Sequence, residues 1–108
     1  MPTLPTSAYN QVSGLVSEKE YMATIQQAAE LYGWAQYHTY DSRRSTAGFP
    51  DLVLVKPPKV LFLEVKRENG RLSVAQADWL AALWGCDEVE AAVVRPSDWQ
   101  QVVEWLSG

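Results

Sequence analysis

The chain has 108 residues, 47% of them hydrophobic, with five tryptophans and a formal net charge of −4. That is enough for one domain with a moderate core and too little for two. No apolar run approaches the roughly 20 residues that span a bilayer, and the start, Met1-Pro2-Thr3-Leu4-Pro5-Thr6, lacks the basic and apolar regions of a signal peptide, so neither membrane insertion nor secretion is expected.

In chain order, residues 1 to 13 carry Pro2 and Pro5 without a periodic pattern and read as a flexible N-terminal arm, leaving residues 14 to 108 as a single domain. Ser17 is placed to cap a helix that runs to about Tyr32 and stops at Gly33 in the left-handed conformation. A strand from Trp34 to about Tyr40 follows, then a polar loop over 41 to 48. Two β-rich runs, Leu52-Val53-Leu54-Val55 and Val60-Leu61-Phe62-Leu63, flank Lys56-Pro57-Pro58-Lys59 and predict a hairpin. A second helix is expected from Ser73 to about Trp84, ending at Gly85. Glu88 to Val94 has a strand's character, and Ser97 starts a closing helix through Leu106. The order αβββαβα predicts an α/β fold, a mixed sheet flanked by helices. The single cysteine, Cys86, excludes an internal disulfide, fits a reducing intracellular setting, and reads as a small buried residue.

If the hairpin is symmetric about Pro57-Pro58, paired positions sum to 115, and Asp51 then lies opposite Glu64. Directly opposed side chains have Cβ atoms roughly 4.5 to 5.5 Å apart, where like charges repel. Lys66 points the same way as Glu64 because side chains alternate along a strand. One face therefore carries Asp51, Glu64 and Lys66. Two carboxylates with room for water and phosphate oxygens suit a hard divalent cation, Mg²⁺ or Mn²⁺, and the backbone carbonyl of Val65 offers a further oxygen. A Glu-x-Lys on a strand is ordinarily a solvated ion pair. Here the flanking runs are continuously apolar, which predicts strands covered on both faces, and charges entering such strands need partners.

The string Gly48-Phe49-Pro50-Asp51-Leu52-Val53-Leu54, then Leu63-Glu64-Val65-Lys66, then Gly70-Arg71-Leu72-Ser73-Val74-Ala75-Gln76, resembles the virus-type replication-repair nuclease (VRR-Nuc) domain. This is a branch of the PD-(D/E)xK nuclease superfamily, and the similarity runs over about residues 17 to 106. The resemblance implies a restriction-endonuclease-like core and metal-dependent cleavage of DNA, with Asp51 and Glu64 as metal ligands and Lys66 as the catalytic lysine. Small stand-alone viral and phage relatives resemble junction-resolving enzymes that form homodimers. That implies branched DNA such as a four-way (Holliday) junction as substrate, a role in DNA repair, and the host cell's cytoplasm as the location of a phage-encoded chain.

The charge distribution is compatible with a DNA partner. Between positions 43 and 71 stand Arg43, Arg44, Lys56, Lys59, Lys66, Arg67 and Arg71 against three acids, so that segment is +4 and the remainder −8. Arg43 and Arg44 in the polar loop, with Arg67 and Arg71, are the expected phosphate contacts, since guanidinium forks suit phosphates. A solvated loop is the plainer account of Arg43 and Arg44.

The first helix supplies a third carboxylate. With Ile25 at the centre of the apolar stripe, Glu18 falls within about 20° of it and Glu20 about 140° away. Glu18 is therefore expected to face the strand ends, where its carboxylate could bind metal directly or through water, and the family has a Glu in this helix. Glu20 complements the helix dipole. Ser73 and Gln76 form a capping box; the resemblance extends to Gln76 and implies a role at the scissile phosphate or at a metal-bound water. The same spacing recurs at Ser97 and Gln100. His38 has no second His or Cys at ligand spacing and reads as structural. Trp79, Trp84, Trp99 and Trp105 fit helical apolar faces better than a base-stacking platform. The functional alternative is a non-catalytic DNA-binding or assembly subunit that kept the nuclease scaffold.

Overall fold

The computed structural model describes residues 13–39 and 46–108. The N-terminal arm up to residue 12, and the loop with Arg43 and Arg44, lie outside the described residues. A short 3₁₀ turn, Ser13–Leu15, leads into α1 (Glu18–Leu31). Then come β1 (Ala35–His38), β2 (Leu52–Lys56), β3 (Lys59–Val65), α2 (Val74–Trp84), β4 (Glu90–Val94), a 3₁₀ turn (Pro96–Asp98) and α3 (Trp99–Ser107). The strands form one sheet in the order β1-β2-β3-β4. The first two pairings are antiparallel and β3-β4 is parallel. This is the α/β mixed-sheet arrangement that the order αβββαβα predicts.

Ser17 caps α1 as expected. Its hydroxyl accepts from the Glu20 backbone N–H at 3.0 Å, while the Glu20 carboxylate accepts from the Ser17 N–H at 3.0 Å. Gly33 adopts φ +86°, outside the range comfortable for a side chain, so the chain can turn directly into Trp34. The Lys56 ammonium, at the end of β2, donates to the Tyr32 carbonyl at 2.8 Å, placing a cation at the negative end of α1.

The expected stripe of α1 is the buried one: Tyr21, Ile25, Ala28 and Ala29 enter the core with Leu52, Leu54, Leu61, Leu63, Val65 and Val94 from the sheet. Trp99, Val102 and Leu106 of α3 complete this layer, and the Trp34 indole N–H donates to the Leu106 carbonyl at 2.9 Å. The opposite sheet face is covered by α2, through Phe49 packed edge-on against Phe62 and Trp79 with ring centroids 6.1 and 5.1 Å apart. Cover on that second face is partial. Val53 and Phe62 are half-buried and Val55 is exposed, so the apolar runs are not sealed on both sides along their whole length.

Two expectations need correction. Cys86 is exposed, because it falls in the turn just past the end of α2, where no layer packs over it. The closing helix is not capped by Ser97. Its first turn is set by Pro96 and by Asp98, whose carboxylate accepts from the Arg95 N–H at 2.8 Å. Proline at the first position and an acid reaching back to the cap residue outcompete the Ser97-Gln100 spacing. The Ser97 N–H is used elsewhere, donating to the Glu68 carboxylate at 3.0 Å.

Gly48 joins the loop to α2. It has φ +87°, and a Cβ there would stand 2.7 Å from the Gln76 nitrogen and closer still to the Ala75 carbonyl. Only glycine allows the segment leading to Asp51 to lie against the helix N-terminus. Gly48→Ala should lower unfolding stability in urea by about 2–4 kcal/mol, combining positive-φ strain with backbone overlap.

Candidate active site

The hairpin pairs Leu52 with Leu63, Val53 with Phe62 and Leu54 with Leu61, all sums of 115. Continuing that register one residue outward sets Asp51 opposite Glu64. The register is fixed from the other face, where Leu52, Leu54, Leu61 and Leu63 are at most 3% exposed. A slip by one residue would turn these four leucines out and the charges into the core.

Asp51 sits where the chain passes from the loop into β2, pinned by the Thr39 N–H donating to its carbonyl at 2.9 Å and by the Thr39 hydroxyl donating to the Pro50 carbonyl at 3.0 Å. Its carboxylate reaches across the hairpin and accepts from the Val65 N–H at 3.0 Å. Glu64 is 1% exposed, the one charged residue in the buried set among the described residues. Its Oε2 accepts from the Gln76 amide at 3.0 Å and lies 3.6 Å from the Lys66 ammonium. Its Oε1 is buried without a hydrogen-bond donor.

Burial pushes the Glu64 carboxyl up to about 8. Asp51 adds to this twice, by accepting a hydrogen bond from the protonated form and by repelling the ionised one; Lys66 acts in the opposite sense and Glu18 adds a smaller repulsion. Two facing carboxylates share no donor until one takes a proton or a cation joins them, which is why Oε1 stays without a partner. The donor set therefore fits a hard divalent cation: two carboxylates from opposed strands, one buried oxygen lacking any donor, and a lysine alongside. Among the described residues no three His, Cys, Asp or Glu side chains come together as a metal cluster. Mg²⁺ needs no such cluster, since it keeps several waters and uses one or two carboxylates.

Gln76 does two things at once. Its Oε1 accepts from the Ser73 N–H at 2.8 Å in the capping box of α2, and its Nε2 donates to Glu64. Capping and contact with the site are thus two ends of one amide. Glu18 is the first residue of α1, exposed, and lines an open hollow with Lys19, Met22, Gln26 and His38. It is not clustered with Asp51 and Glu64, and its charge is sensed at Glu64 only as the smallest of the contributions named above. Glu20 is committed to the Ser17 cap. Arg67 and Arg71 are exposed in the segment between β3 and α2.

Arg95 emerges only from the structure. Its Nη1 donates to the carbonyls of Arg67, Glu68 and Gly70 at 3.1, 3.2 and 2.6 Å, gripping the turn that follows Lys66. Its acceptors are backbone carbonyls more than twenty residues away, which no side-chain motif marks.

With this geometry in hand, the comparisons with known proteins are decisive about kinship. The VRR-NUC domain family matches residues 6–98. The chain belongs to that family. The Fanconi-associated nuclease 1 homolog of Schizosaccharomyces pombe (strain 972 / ATCC 24843) is 47% identical over 61 residues, 55% of this chain and 8% of that protein. The chain thus spans a small part of that relative's length. No solved structure matches. The opposed carboxylates and the lysine lie within the matched span. No helix among the described residues is long and apolar enough to cross a membrane.

The raised Glu64 carboxyl has a consequence for stability. The folded state holds this proton up to about pH 8, whereas a carboxyl at its ordinary value of 4.5, as in the unfolded chain, releases it earlier. Between those values the native state binds more protons than the unfolded one, so stability falls as pH rises. Urea unfolding of the metal-free protein should give a midpoint that drops from pH 5 to pH 8, and Glu64→Gln should flatten that slope.

Proposed function

We propose that this chain is a divalent-metal-dependent endonuclease that hydrolyses DNA phosphodiester bonds, working as a homodimer on branched DNA such as a four-way junction. One observation carries the catalytic part: a buried Glu64 with an oxygen lacking any donor, opposed by Asp51 and accompanied by Lys66. Membership of the VRR-NUC family supports hydrolysis of nucleic acid, and the matched relative is itself named a nuclease.

Asp51 and Glu64 would hold Mg²⁺ or Mn²⁺, with the Val65 carbonyl as a further oxygen and Glu18 reaching through water. A bound divalent ion supplies Lewis acidity toward the phosphate and toward an attacking water. Lys66 orients the nucleophile and offsets negative charge building on the phosphate oxygens, an electrostatic role that needs it fixed in place beforehand. The Glu64 carboxylate 3.6 Å away provides that fixing, and Gln76 holds Glu64 from the other side. Arg43, Arg44, Arg67 and Arg71 are the proposed phosphate contacts, in the segment whose charge is +4 within an otherwise acidic chain. A two-fold axis relating two such sites would match the symmetric strands of a junction. A binding-only subunit would have no use for a carboxylate buried at this cost, and that weighs against the alternative.

Purified Glu64→Ala and Lys66→Ala should lose at least about a hundredfold in cleavage of labelled junction DNA with Mg²⁺ or Mn²⁺ while still binding it. Retained cleavage would remove the assignment. Calorimetric titration should show saturable Mn²⁺ binding that disappears in Asp51→Ala; no Mn²⁺ binding by the unaltered chain would favour the binding-only subunit. Light scattering together with equal cleavage of junction, flap and plain duplex would show a monomer indifferent to branching if the junction assignment is wrong.

A further inference from the structure

Side-chain alternation places more than the carboxylates on the α2 face of the sheet. Extending the pairings sets Thr39, Asp51 and Glu64 in one cross-strand row. The neighbouring row on the same face is Tyr37, Val53 and Phe62. Rows two residues apart along a strand are separated by roughly 7 Å, so whatever lies over Tyr37 adjoins the carboxylates.

What lies there is a hollow of about 320 Å³ lined by Tyr37, Thr39, Thr46, Phe49 and Trp79. Phe49 is two residues before Asp51 and is held in place by Gly48 against α2 and by its edge-on contact with Trp79. Trp79 is three residues after Gln76, so one helical face supplies both the Glu64 contact and the back wall of the hollow. Tyr37 is 64% exposed although aromatic, and nothing in the core explains its presence on an edge strand. Trp79 packs on Phe49 from the apolar face of α2, as the sequence suggests, and, being half-buried, also borders this open space.

Three aromatic side chains around an opening, with the Tyr37 and Thr46 hydroxyls able to donate or accept and the Thr39 hydroxyl, which donates to Pro50, able to accept, form a site for a flat heteroaromatic ring. We propose that this hollow receives an unpaired nucleobase of the nucleotide beside the scissile phosphate, with Tyr37 as its stacking partner. The proposal rests on the nuclease reading and deepens it. The occupant follows from position: a backbone phosphate at the carboxylates carries its own base to within one nucleotide, and the hollow borders that site through Thr39, whose N–H donates to the Asp51 carbonyl. Stacking is indifferent to base identity, as are hydroxyls that both donate and accept. The site would therefore select for unpaired DNA at the cut and not for sequence, which is how a single domain can prefer branched or gapped DNA over plain duplex.

The test pairs a protein change with a DNA change. Fluorescein-labelled duplexes with a short single-stranded gap, and a set in which one gap nucleotide at a time is abasic, are bound to the full chain in EDTA and followed by anisotropy. For the unaltered protein, one abasic position should weaken binding on the order of tenfold, the size of a lost base-aromatic stack. Tyr37→Ala should weaken binding to intact DNA comparably and lose sensitivity to that abasic position, whereas Tyr37→Phe should restore both. Losses that simply multiply, or an abasic scan without a sensitive position, would overturn the base-binding role while leaving cleavage and the nuclease reading standing. A change from dimer to monomer on Tyr37→Ala, seen by light scattering with gap binding unaltered, would instead assign the hollow to a second copy of the chain. Failure of the unaltered chain to bind any of these DNAs would overturn both readings together.

Discussion

Two carboxylates held across an antiparallel pair, one of them almost wholly removed from water, constrain everything else in this domain. Left to themselves Asp51 and Glu64 would disfavour the hairpin, since directly opposed like charges cost about 0.2–1 kcal/mol and desolvation of Glu64 costs more. The other face of the same two strands decides the outcome. Burying Leu52, Leu54, Leu61 and Leu63 contributes about 1.5–3 kcal/mol each, and all four lose that burial if the register moves by one. The hydrophobic layer thus forces together groups that would otherwise separate. Lys66 and Gln76 relieve part of the resulting tension, both at Oε2, and Oε1 is left without a donor.

The surroundings of the site are rigid for identifiable reasons. Gly48 permits backbone contact between the loop before Asp51 and the start of α2, so the carboxylate and Gln76 are positioned by one junction. Arg95 and the Glu68-Ser97 contact tie down the segment after Lys66, which would otherwise be a free turn between strand and helix. Each of these ties acts on backbone rather than on a reacting group. They hold the donors in place before any substrate arrives, and preorganisation of this kind is what makes electrostatic stabilisation effective.

The same pleat that assembles the carboxylate row sets an aromatic row beside it. Leucines occupy one face under α1 and α3, while Asp51, Glu64, Tyr37 and Phe62 share the other with Phe49 and Trp79 above them. On the proposed reading, the charged strip and the aromatic hollow beside it take the two parts of a nucleotide, phosphate and base. The basic residues of this acidic chain are concentrated between positions 43 and 71, the stretch of sequence that also contains Asp51 and Glu64.

Local signals were enough for most of the elements and for the key pairing. Ser17 and Gly33 bound the first helix, Ser73 and Gln76 start the second, and the symmetry about Pro57-Pro58 sets Asp51 against Glu64, because caps, turns and a period of two depend on neighbours in sequence. The closing helix shows where such signals compete: Ser97 and Gln100 look like a cap, yet Pro96 and Asp98 impose theirs two residues earlier, at Arg95. Cys86 looked buried by residue type but lies past the end of the packed face of α2. What the chain alone determined was which residues are chemically capable and which strand register brings them together. Only the tertiary structure decided that Glu64 is dry enough to lift its carboxyl to about 8, that Arg95 grips a distant turn and that Trp79 borders a hollow. Those properties depend on the layers packed above and below a residue, and desolvation and long-range backbone contacts leave no trace in local spacing.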